Sequence, residues 1–382
     1  MGIEFNASPR SSLGIEMELE LVDVSTRELC SGASGLLEIL GKGHTGGEHP
    51  QAKHELFEST VEIITGVCTT VAEARADLAA TLDELQALTD VRGMALMCSG
   101  THPFTHWDTQ DVSPNPRYHR LVEEMQWLAR RLQIFGIHVH VGVRSAEKAI
   151  SIANALTAYL PHLLALSASS PYWMGRDTGL ASCRSKVFEA LPMAGLPHQL
   201  DGWPEFEQFM GTLQRSKAIT SIREVWWDIR PHPDFGTVEM RVCDGLPRLT
   251  EVAGVAALTQ CLVERMDQAL DRGQPPVVPK AWIIRENKWK ATRYGMDADI
   301  IIDEEGNLRP LRDDLAELVE TLAPVASGLG CSEELAQVHA MVADGPSYAR
   351  QRALVAAGHD LPAVVDALIE ELRSDRPVRA GR

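Results

Sequence analysis

Polar and apolar residues alternate over 13–23, near the start of the chain. This period of two is typical of a strand that buries one face. The other segments with strand character are 51–65, 94–100 and 137–143, a pair over 224–230 and 237–244 joined through Pro231, Pro233 and Gly236, and a short hairpin over 300–310. We therefore expect several short strands joined by nearby turns.

Helical spacing of apolar residues separates these strand segments. The predicted helices cover 69–89, 118–135, 146–169 and 252–270, and mainly helices follow over 311–372. We expect the helix over 118–135 to end at Gly136, because glycine is common just after a helix. Strands that recur as nearby or hairpin-linked pieces among long helices predict an α+β fold with a mostly antiparallel sheet. We expect a single domain over 1–372 and a flexible C-terminal tail over 373–382.

The amino-acid composition indicates which classes of protein the chain can belong to. Hydrophobic residues make up 45% of the 382 residues and charged residues 23%, as in ordinary globular proteins. The formal net charge of −17 argues against a nucleic-acid partner, because binding to a phosphate backbone needs a dense basic surface. The seven cysteines are scattered without a CxxC pair, which favours free thiols in a reducing cytosol.

No segment of the sequence predicts membrane attachment. The longest apolar stretch, 153–168, contains Pro161 and His162 and is too short to span a bilayer. Residues 1–10 lack the apolar core of a signal peptide. We therefore expect a cytoplasmic protein.

The first group of candidate functional residues is Glu16, Glu18 and Glu20, which share one face of the strand over 13–23. One interpretation is a solvated outer face. If the face is enclosed, however, three aligned carboxylates repel one another, and divalent cations would be needed to make them tolerable. Oxygen ligands of this kind suit Mg²⁺ or Mn²⁺ rather than zinc.

A second acidic group lies over 54–62. Glu58 and Glu62 share strand parity, but Glu55 does not. A regular strand therefore cannot direct both Glu55 and Glu62 inward, and a bend or bulge is required if both bind metal. A solvated face is the alternative interpretation.

Further charged or imidazole side chains also alternate along short strands. The pairs that share a face are His138 with His140, Glu239 with Arg241, and Asp228 with Arg230. Two alternating histidines indicate ligand or phosphate binding, or a structural role. The acid–arginine pairs indicate either cross-strand ion pairs or a charged site.

Taken together, these strands predict a concave acidic sheet supplemented by arginines. Such a sheet suits phosphoryl transfer, in which metal ions bridge phosphate oxygens and arginine stabilises developing negative charge. The sequence has no GxxxxGK[ST] motif, which excludes the P-loop mode of ATP binding, and no GxSxG motif.

These motifs, in this order, resemble the carboxylate–amine ligase branch of the glutamate–cysteine ligase type 2 family, which is related in fold to glutamine synthetase. The resemblance runs from about residue 13 to residue 303. The segments that carry it are 13–23, 55–66, 100–104, 136–142, Ser169-Ser170-Pro171 with 177–184, 228–244, Glu286-Asn287-Lys288-Trp289 and Arg293-Tyr294-Gly295. Met17 and Cys183 depart from the family pattern; Met17 points away from the acidic face by parity, and Cys183 beside Arg184 suggests a different substrate pocket.

The resemblance implies a curved, mostly antiparallel sheet that forms one wall of a funnel, with helices behind it. It also implies ATP and Mg²⁺ or Mn²⁺ as cofactors. The implied metal ligands are Glu16, Glu18, Glu55, Glu62, Glu239 and His138. The implied catalytic residues are Glu239 and Arg241, with Arg241 stabilising the transferred phosphoryl group. The implied nucleotide- or substrate-binding residues are His138, Arg230, Arg184, Lys288 and Arg293, with His140 as a further candidate.

The implied reaction is amide-bond formation between a carboxylate and an amine through an acyl phosphate, with glutamate and cysteine as the family's customary substrates. The expected partners are therefore small molecules, and a homodimer is expected by analogy. A metal-dependent amidohydrolase is an alternative, because His138-Val139-His140 imitates its HxH motif, although that class requires a repeating βα barrel. A catalytically silent nucleotide-binding relative is the third possibility.

Overall fold

The computed structural model describes residues 2–381, and Met1 and Arg382 lie outside the described residues. The strands are β1 Leu13–Asp23, β2 Ala52–His54, β3 Thr60–Ile64, β4 Met94–Met97, β5 Ile137–Gly142, β6 Tyr172–Trp173, β7 Arg176–Asp177, β8 Ile229–His232, β9 Thr237–Met240, β10 Asp299–Ile301 and β11 Leu308–Pro310. The alternation over 13–23 therefore predicted the first strand to the residue.

Helices fill most of the rest of the chain. They are α1 Ala33–Gly41, α2 Val71–Asp90, α3 Pro116–Met125, α4 Trp127–Arg130, α5 Ala146–Leu156, α6 Leu160–Ser167, α7 Cys183–Phe188, α8 Trp203–Arg215, α9 Leu249–Asp271, α10 Ala281–Tyr294, α11 Leu311–Leu329, α12 Ser332–Asp344, α13 Ser347–Ala356 and α14 Leu361–Ser374. Short 3₁₀ turns are Thr45–Gly47, Trp107–Thr109, Thr157–Tyr159, Ile222–Glu224 and Gly295–Asp297.

The main sheet has the strand order β2-β3-β1-β5-β9-β8, and β4 pairs with the second half of β1. Every pairing in it is antiparallel. This arrangement confirms the predicted α+β fold with a mostly antiparallel sheet. Because β1 lies between β3 and β5, its side chains meet those of both neighbours, which brings residues from distant parts of the sequence onto one surface.

The two faces of the sheet differ in chemistry because side chains alternate along each strand. On one face, Ile15, Met17 and Leu19 are fully buried against apolar residues of the helices. Met17 thus points away from the acidic face, as its parity predicted. The opposite face carries the acids, histidines and arginines and forms one wall of a cavity. Burial of the apolar face therefore fixes the register that presents the polar face.

The long apolar helix α9 packs against β5 and against α2, α5, α11 and α12 behind the sheet. A single apolar cluster contains residues from Leu13 to Leu372. The segment Ala146–Ser167 contains an 18-residue window long and apolar enough to cross a membrane, but 78% of that window is buried inside the protein, as expected of a core element. The single domain over 1–372 stays a prediction that this continuous core supports.

Three details differ from the sequence-based expectations. The helix over 118–135 is interrupted at Gln126, which has φ 51°, and ends at Arg130, so Gly136 is not its C-cap. Residues 224–228 are not strand, because a 3₁₀ turn covers Ile222–Glu224 before β8 begins at Ile229, and residues 241–244 lie beyond the end of β9 at Met240. The helix over 146–169 is interrupted by a 3₁₀ turn before Leu160–Ser167, where Pro161 occupies the first turn.

The C-terminal tail was predicted to begin at residue 373. Helix α14 instead extends through Ser374. The Asp375 carboxylate, just after it, accepts hydrogen bonds from the Thr250 backbone N–H (3.0 Å) and hydroxyl (2.6 Å). The flexibility of 373–382 stays a prediction, and its last residue, Arg382, lies outside the described residues.

Candidate active site

A cavity of ≈ 720 Å³ lies against the polar face of the sheet. The predicted site residues that line it are Glu16, Glu18, Glu55, Glu62, His138, Arg184, Arg230, Glu239 and Arg241. These residues come from β1, β3, β5, β8, β9, α7, the turn after β2 and, for Arg241, the residue just after β9. The alternation within each strand and the pairing between strands therefore bring the predicted acids, histidine and arginines to one place.

The first candidate metal centre consists of Glu16, His138 and Glu239, whose ligand atoms lie within 4.8 Å of one another. Its geometry follows from the pairing of the strands, because Glu16 lies opposite His138, and His140 lies opposite Glu239. His140 completes the group, with Nε2 3.5 Å from Glu16 Oε1 and 3.8 Å from Glu239 Oε1. The second histidine of the alternating pair thus also faces the centre.

The protonation states in this centre suit cation binding. Burial raises the pKa of Glu16, but hydrogen bonds to His138 and His140 outweigh it and hold that pKa well below its usual range. Burial and the charge of Arg241 lower the pKa of His138 to about 4. An ionised carboxylate beside a neutral imidazole is a donor set that a divalent cation can use, because both groups offer lone pairs without first losing a proton.

The second candidate metal centre consists of Glu18, Glu55 and Glu62, again with ligand atoms within 4.8 Å of one another. Glu18 lies opposite Glu62 in the pairing of β1 with β3. Glu55 joins them because the chain leaves the strand conformation between His54 and Thr60. A break between β2 and β3 therefore brings Glu55 and Glu62 to the same cavity despite their different parity.

Desolvation and mutual repulsion disfavour the charged forms of these three carboxyl groups. Burial and the charge of Glu55 raise the pKa of Glu18 to about 8. Burial, followed by the charge of Glu16, raises the pKa of Glu62 well above its usual value, and burial also raises that of Glu55. A cation at this centre would replace the protons and relieve the repulsion, and hard oxygen donors are the ligands that Mg²⁺ and Mn²⁺ prefer. The donor set therefore fits such an ion.

Two arginines flank the first centre. Arg230 lies opposite Glu239 in the pairing of β8 with β9, and its Nη2 is 2.7 Å from Glu239 Oε2. Arg241 Nη1 donates to the other oxygen, Oε1. Burial raises the pKa of Glu239, but the charges of Arg241 and Arg230 outweigh it, so that this pKa lies well below its usual value. Positive charge is thus fixed beside a candidate metal centre, as phosphoryl transfer requires.

Arg184 reaches the cavity from α7. Its guanidinium lies beside Gly136, where a Cβ atom would overlap it and displace this side chain. Arg184 Nη1 lies 3.4 Å from the carbonyl oxygens of Arg241 and Val242, and the side chain is buried. Gly136 is therefore required for the placement of an arginine rather than for ending a helix.

Lys288 and Arg293 do not line the cavity. Lys288 Nζ is buried between Asp228 Oδ2 at 2.5 Å and Glu189 Oε1 at 2.6 Å. Arg293 donates to the carbonyl of Gly179. The structure thus places the predicted binding residues of α10 in contacts within the protein. Glu20, the third acid of β1, is also separate from both centres and accepts hydrogen bonds from Ser99.

Several cavity residues were not predicted. Arg117, Tyr118 and Arg120 enter from α3, and His232 and Phe235 enter from β8 and the turn after it. Tyr118 donates from its hydroxyl to the His54 carbonyl at 2.9 Å, which fastens α3 beside the second centre. No sequence motif marks α3, and its polar face resembles an ordinary solvated helix surface. The available signal was the His232-Pro233-Asp234-Phe235 sequence in a predicted turn.

Comparison with protein-family models gives one match that spans most of the chain. The model described as glutamate–cysteine ligase family 2 matches residues 12–367. A protein of Frankia casuarinae, named as a candidate glutamate–cysteine ligase 2-1, is 59% identical over 382 residues, and the match covers 100% of both chains. A protein of Thermobifida fusca, named as a candidate glutamate–cysteine ligase 2, is 53% identical over 377 residues, covering 99% of this chain and 94% of the relative.

Solved structures with the same fold are more distant in sequence. The glutamate–cysteine ligase of Francisella tularensis, solved in complex with AMP, gives a TM-score of 0.67 at 15% identity over 97% of this chain and 90% of that chain. A bifunctional glutathione synthetase of Pasteurella multocida gives a TM-score of 0.68 at 14% identity over 96% of this chain and 52% of that chain. At these identities the likeness shows the fold.

Proposed function

This chain belongs to the glutamate–cysteine ligase family 2, and from that premise we propose that it catalyses ATP-dependent ligation of a carboxylate to an amine. Glutamate and cysteine are the proposed substrate pair, as the names of its relatives suggest. ATP is the proposed source of the phosphoryl group, and Mg²⁺ or Mn²⁺ the proposed metal. The expected partners are therefore small molecules, and the proposed location is the cytoplasm.

One observation carries this proposal: two three-ligand centres lie side by side on one cavity wall with arginines beside them. Glu16 in the first centre and Glu18 in the second are two residues apart on β1. Adjacent centres are suited to phosphoryl transfer, because ions there would share the charge of a triphosphate and of the attacking carboxylate. The proposed ligands are Glu16, His138 and Glu239 in the first centre and Glu18, Glu55 and Glu62 in the second.

The proposed chemistry has two steps. An oxygen of the substrate carboxylate attacks the γ-phosphorus of ATP, the bond to the β,γ-bridging oxygen breaks, and ADP leaves. The amine nitrogen then attacks the acyl carbon, loses a proton and expels inorganic phosphate. Phosphorylation is needed because a carboxylate is electron-rich and lacks a good leaving group. Bound metal ions would neutralise charge on the phosphates.

The chain's own residues would orient and stabilise the reacting groups. Arg241 is held by Glu239 at the first centre, where its guanidinium would stabilise charge on the phosphoryl group in transfer. Arg230 is held from the other side by Glu239 and by the carbonyls of Ile222 and Val225. These contacts hold both arginines in place before substrate binds. Electrostatic catalysis depends on charges that are already in position in this way.

The alternatives make different demands on the structure. A metal-dependent amidohydrolase of the HxH type requires a parallel βα barrel, whereas the main sheet here is antiparallel. A silent nucleotide-binding relative would retain the cavity without turnover. The acids at every predicted metal position, all of which line the cavity, favour an active enzyme. A homodimer stays a prediction.

An ADP-release assay with Mg²⁺ across a matrix of carboxylates and amines tests the proposal. We expect ADP release that depends on both substrates and is greatest for glutamate with cysteine. Hydrolysis of an amide without ATP would favour the amidohydrolase. Nucleotide binding by calorimetry without turnover on any pair would favour the silent relative.

A further inference from the structure

Phe235 is a large apolar residue that stays 56% exposed although it lines the cavity. It lies in the turn between β8 and β9, next to the strands that supply the arginines. One side of its ring is covered by His232, with ring centroids 4.1 Å apart and an interplanar angle of 9°. The metal and phosphate binding proposed above uses acids, histidines and arginines of the cavity. It does not use the Phe235 ring.

The position of the ring is fixed by the backbone around it. Gly236 has φ +65°, and a Cβ atom there would overlap the carbonyl of Asn6. The Asn6 backbone N–H donates to the Pro233 carbonyl at 3.0 Å, and its side-chain amide donates to the Asp234 carbonyl at 2.9 Å. These hydrogen bonds from the N-terminal segment hold the backbone of the turn that carries the aromatic ring.

The ring also stands at a defined place relative to the first metal centre. The His140 ring packs edge-on against Phe235, with centroids 5.6 Å apart. His140 Nε2 in turn lies 3.5 Å from Glu16 Oε1. Only the His140 side chain thus separates Phe235 from the centre proposed to hold the triphosphate.

We propose that the Phe235–His232 stack is the platform on which the base of the nucleotide lies while its phosphates reach the first metal centre. This inference rests on the proposed function and goes further by assigning the base to the β8–β9 end of the cavity. A flat exposed ring offers a π-face to any base, so the contact contributes affinity without reading base edges. The second centre, with Arg117 and Arg120, is then left for the amino-acid substrates.

Calorimetric titration with ATP, AMP and inorganic tripolyphosphate, each with Mg²⁺, tests this assignment. Phe235→Ala should bind ATP and AMP at least about tenfold more weakly, because base stacking is lost. Its affinity for tripolyphosphate should equal that of the unmodified protein. Phe235→Trp should restore nucleotide binding, whereas Phe235→Leu, which is apolar but not flat, should not. Trp282→Ala is the matched control, since Trp282 is 53% exposed and lies outside the cavity.

Two results would overturn the inference while leaving the proposed function intact. One is unchanged affinity of Phe235→Ala for ATP. The other is an equal loss of affinity for ATP and tripolyphosphate, which would indicate general damage to the site. Failure of the unmodified protein to bind ATP at all would instead contradict the proposed function, and this inference with it.

Discussion

Glu16 and His138 face each other across the pairing of β1 with β5, and Glu16 Oε2 lies 2.9 Å from His138 Nδ1. Because the carboxylate is ionised and can only accept, the neutral imidazole donates through Nδ1 and keeps the lone pair on Nε2. A hydrogen bond of this type fixes both the tautomer and the orientation of a ligand histidine. The contact therefore joins two strands far apart in sequence into one preorganised centre.

Glu239→Gln should lower the ligation rate by about 10²–10³-fold, because the first centre loses a charged ligand and two arginines lose their counter-charge. The variant should melt at a lower temperature but remain folded by circular dichroism. Glu20→Gln is the matched control, since Glu20 is buried away from both centres. Ligation at near the unmodified rate in Glu239→Gln would refute the role.

Arg241→Met should lower single-turnover ADP formation by about 10³-fold, the range seen when an arginine that stabilises a transferred phosphoryl group is removed. Rapid-quench measurement with saturating ATP separates this loss from weaker binding. Arg293→Met should behave like the unmodified protein, because Arg293 lies outside the cavity. Equal rates for both variants would show that Arg241 does not act on the phosphoryl group.

Lys288→Met should lower the free energy of unfolding by about 3–5 kcal/mol, because it leaves the buried Asp228 carboxylate without its partner. Denaturant titration measures the change. The double variant Lys288→Met with Asp228→Asn should recover part of the loss. A stable Lys288→Met protein with a raised KM for ATP would instead indicate a direct role in nucleotide binding.

Metal affinity should depend on pH through the second centre. Burial and the charge of Glu55 raise the pKa of Glu18 to about 8, so the metal-free carboxyl is protonated below that pH. A cation must displace this proton, and the affinity for Mn²⁺ should therefore rise with pH up to about pH 8. Free Mn²⁺ measured by electron paramagnetic resonance checks this, and Glu18→Gln should give a shallower slope. Affinity that is constant with pH would contradict the assignment.

The polar face of the sheet could be predicted because strand parity is a local property. Alternation over 13–23 placed Glu16 and Glu18 on one side and Met17 on the other, and burial of Met17 bears this out. The parity conflict at Glu55 required a break in the second extended segment if Glu55 and Glu62 share a site, and the chain has such a break between His54 and Thr60. Because burial of the apolar face fixes which side chains point the other way, the local sequence determines which residues of the strand line the site.

Contacts between distant segments could not be predicted in the same way. Lys288 pairs with Asp228, 60 residues earlier in the chain, and nothing local distinguishes that pairing from exposure to a ligand. The entry of Arg117 into the cavity depends on how α3 packs beside His54, and the interruption at Gln126 depends on a positive φ that its residue type does not demand. Tertiary packing, rather than local pattern, decides these positions.

Transfer of oxygen from substrate to phosphate tests the central claim most directly. The protein would be incubated with ATP, Mg²⁺, cysteine and glutamate labelled with ¹⁸O in both carboxylates, and the released phosphate analysed by mass spectrometry. Activation through an acyl phosphate predicts one ¹⁸O atom in each phosphate formed together with the amide. Amide formation that yields unlabelled phosphate, or that proceeds without ATP, would contradict the account.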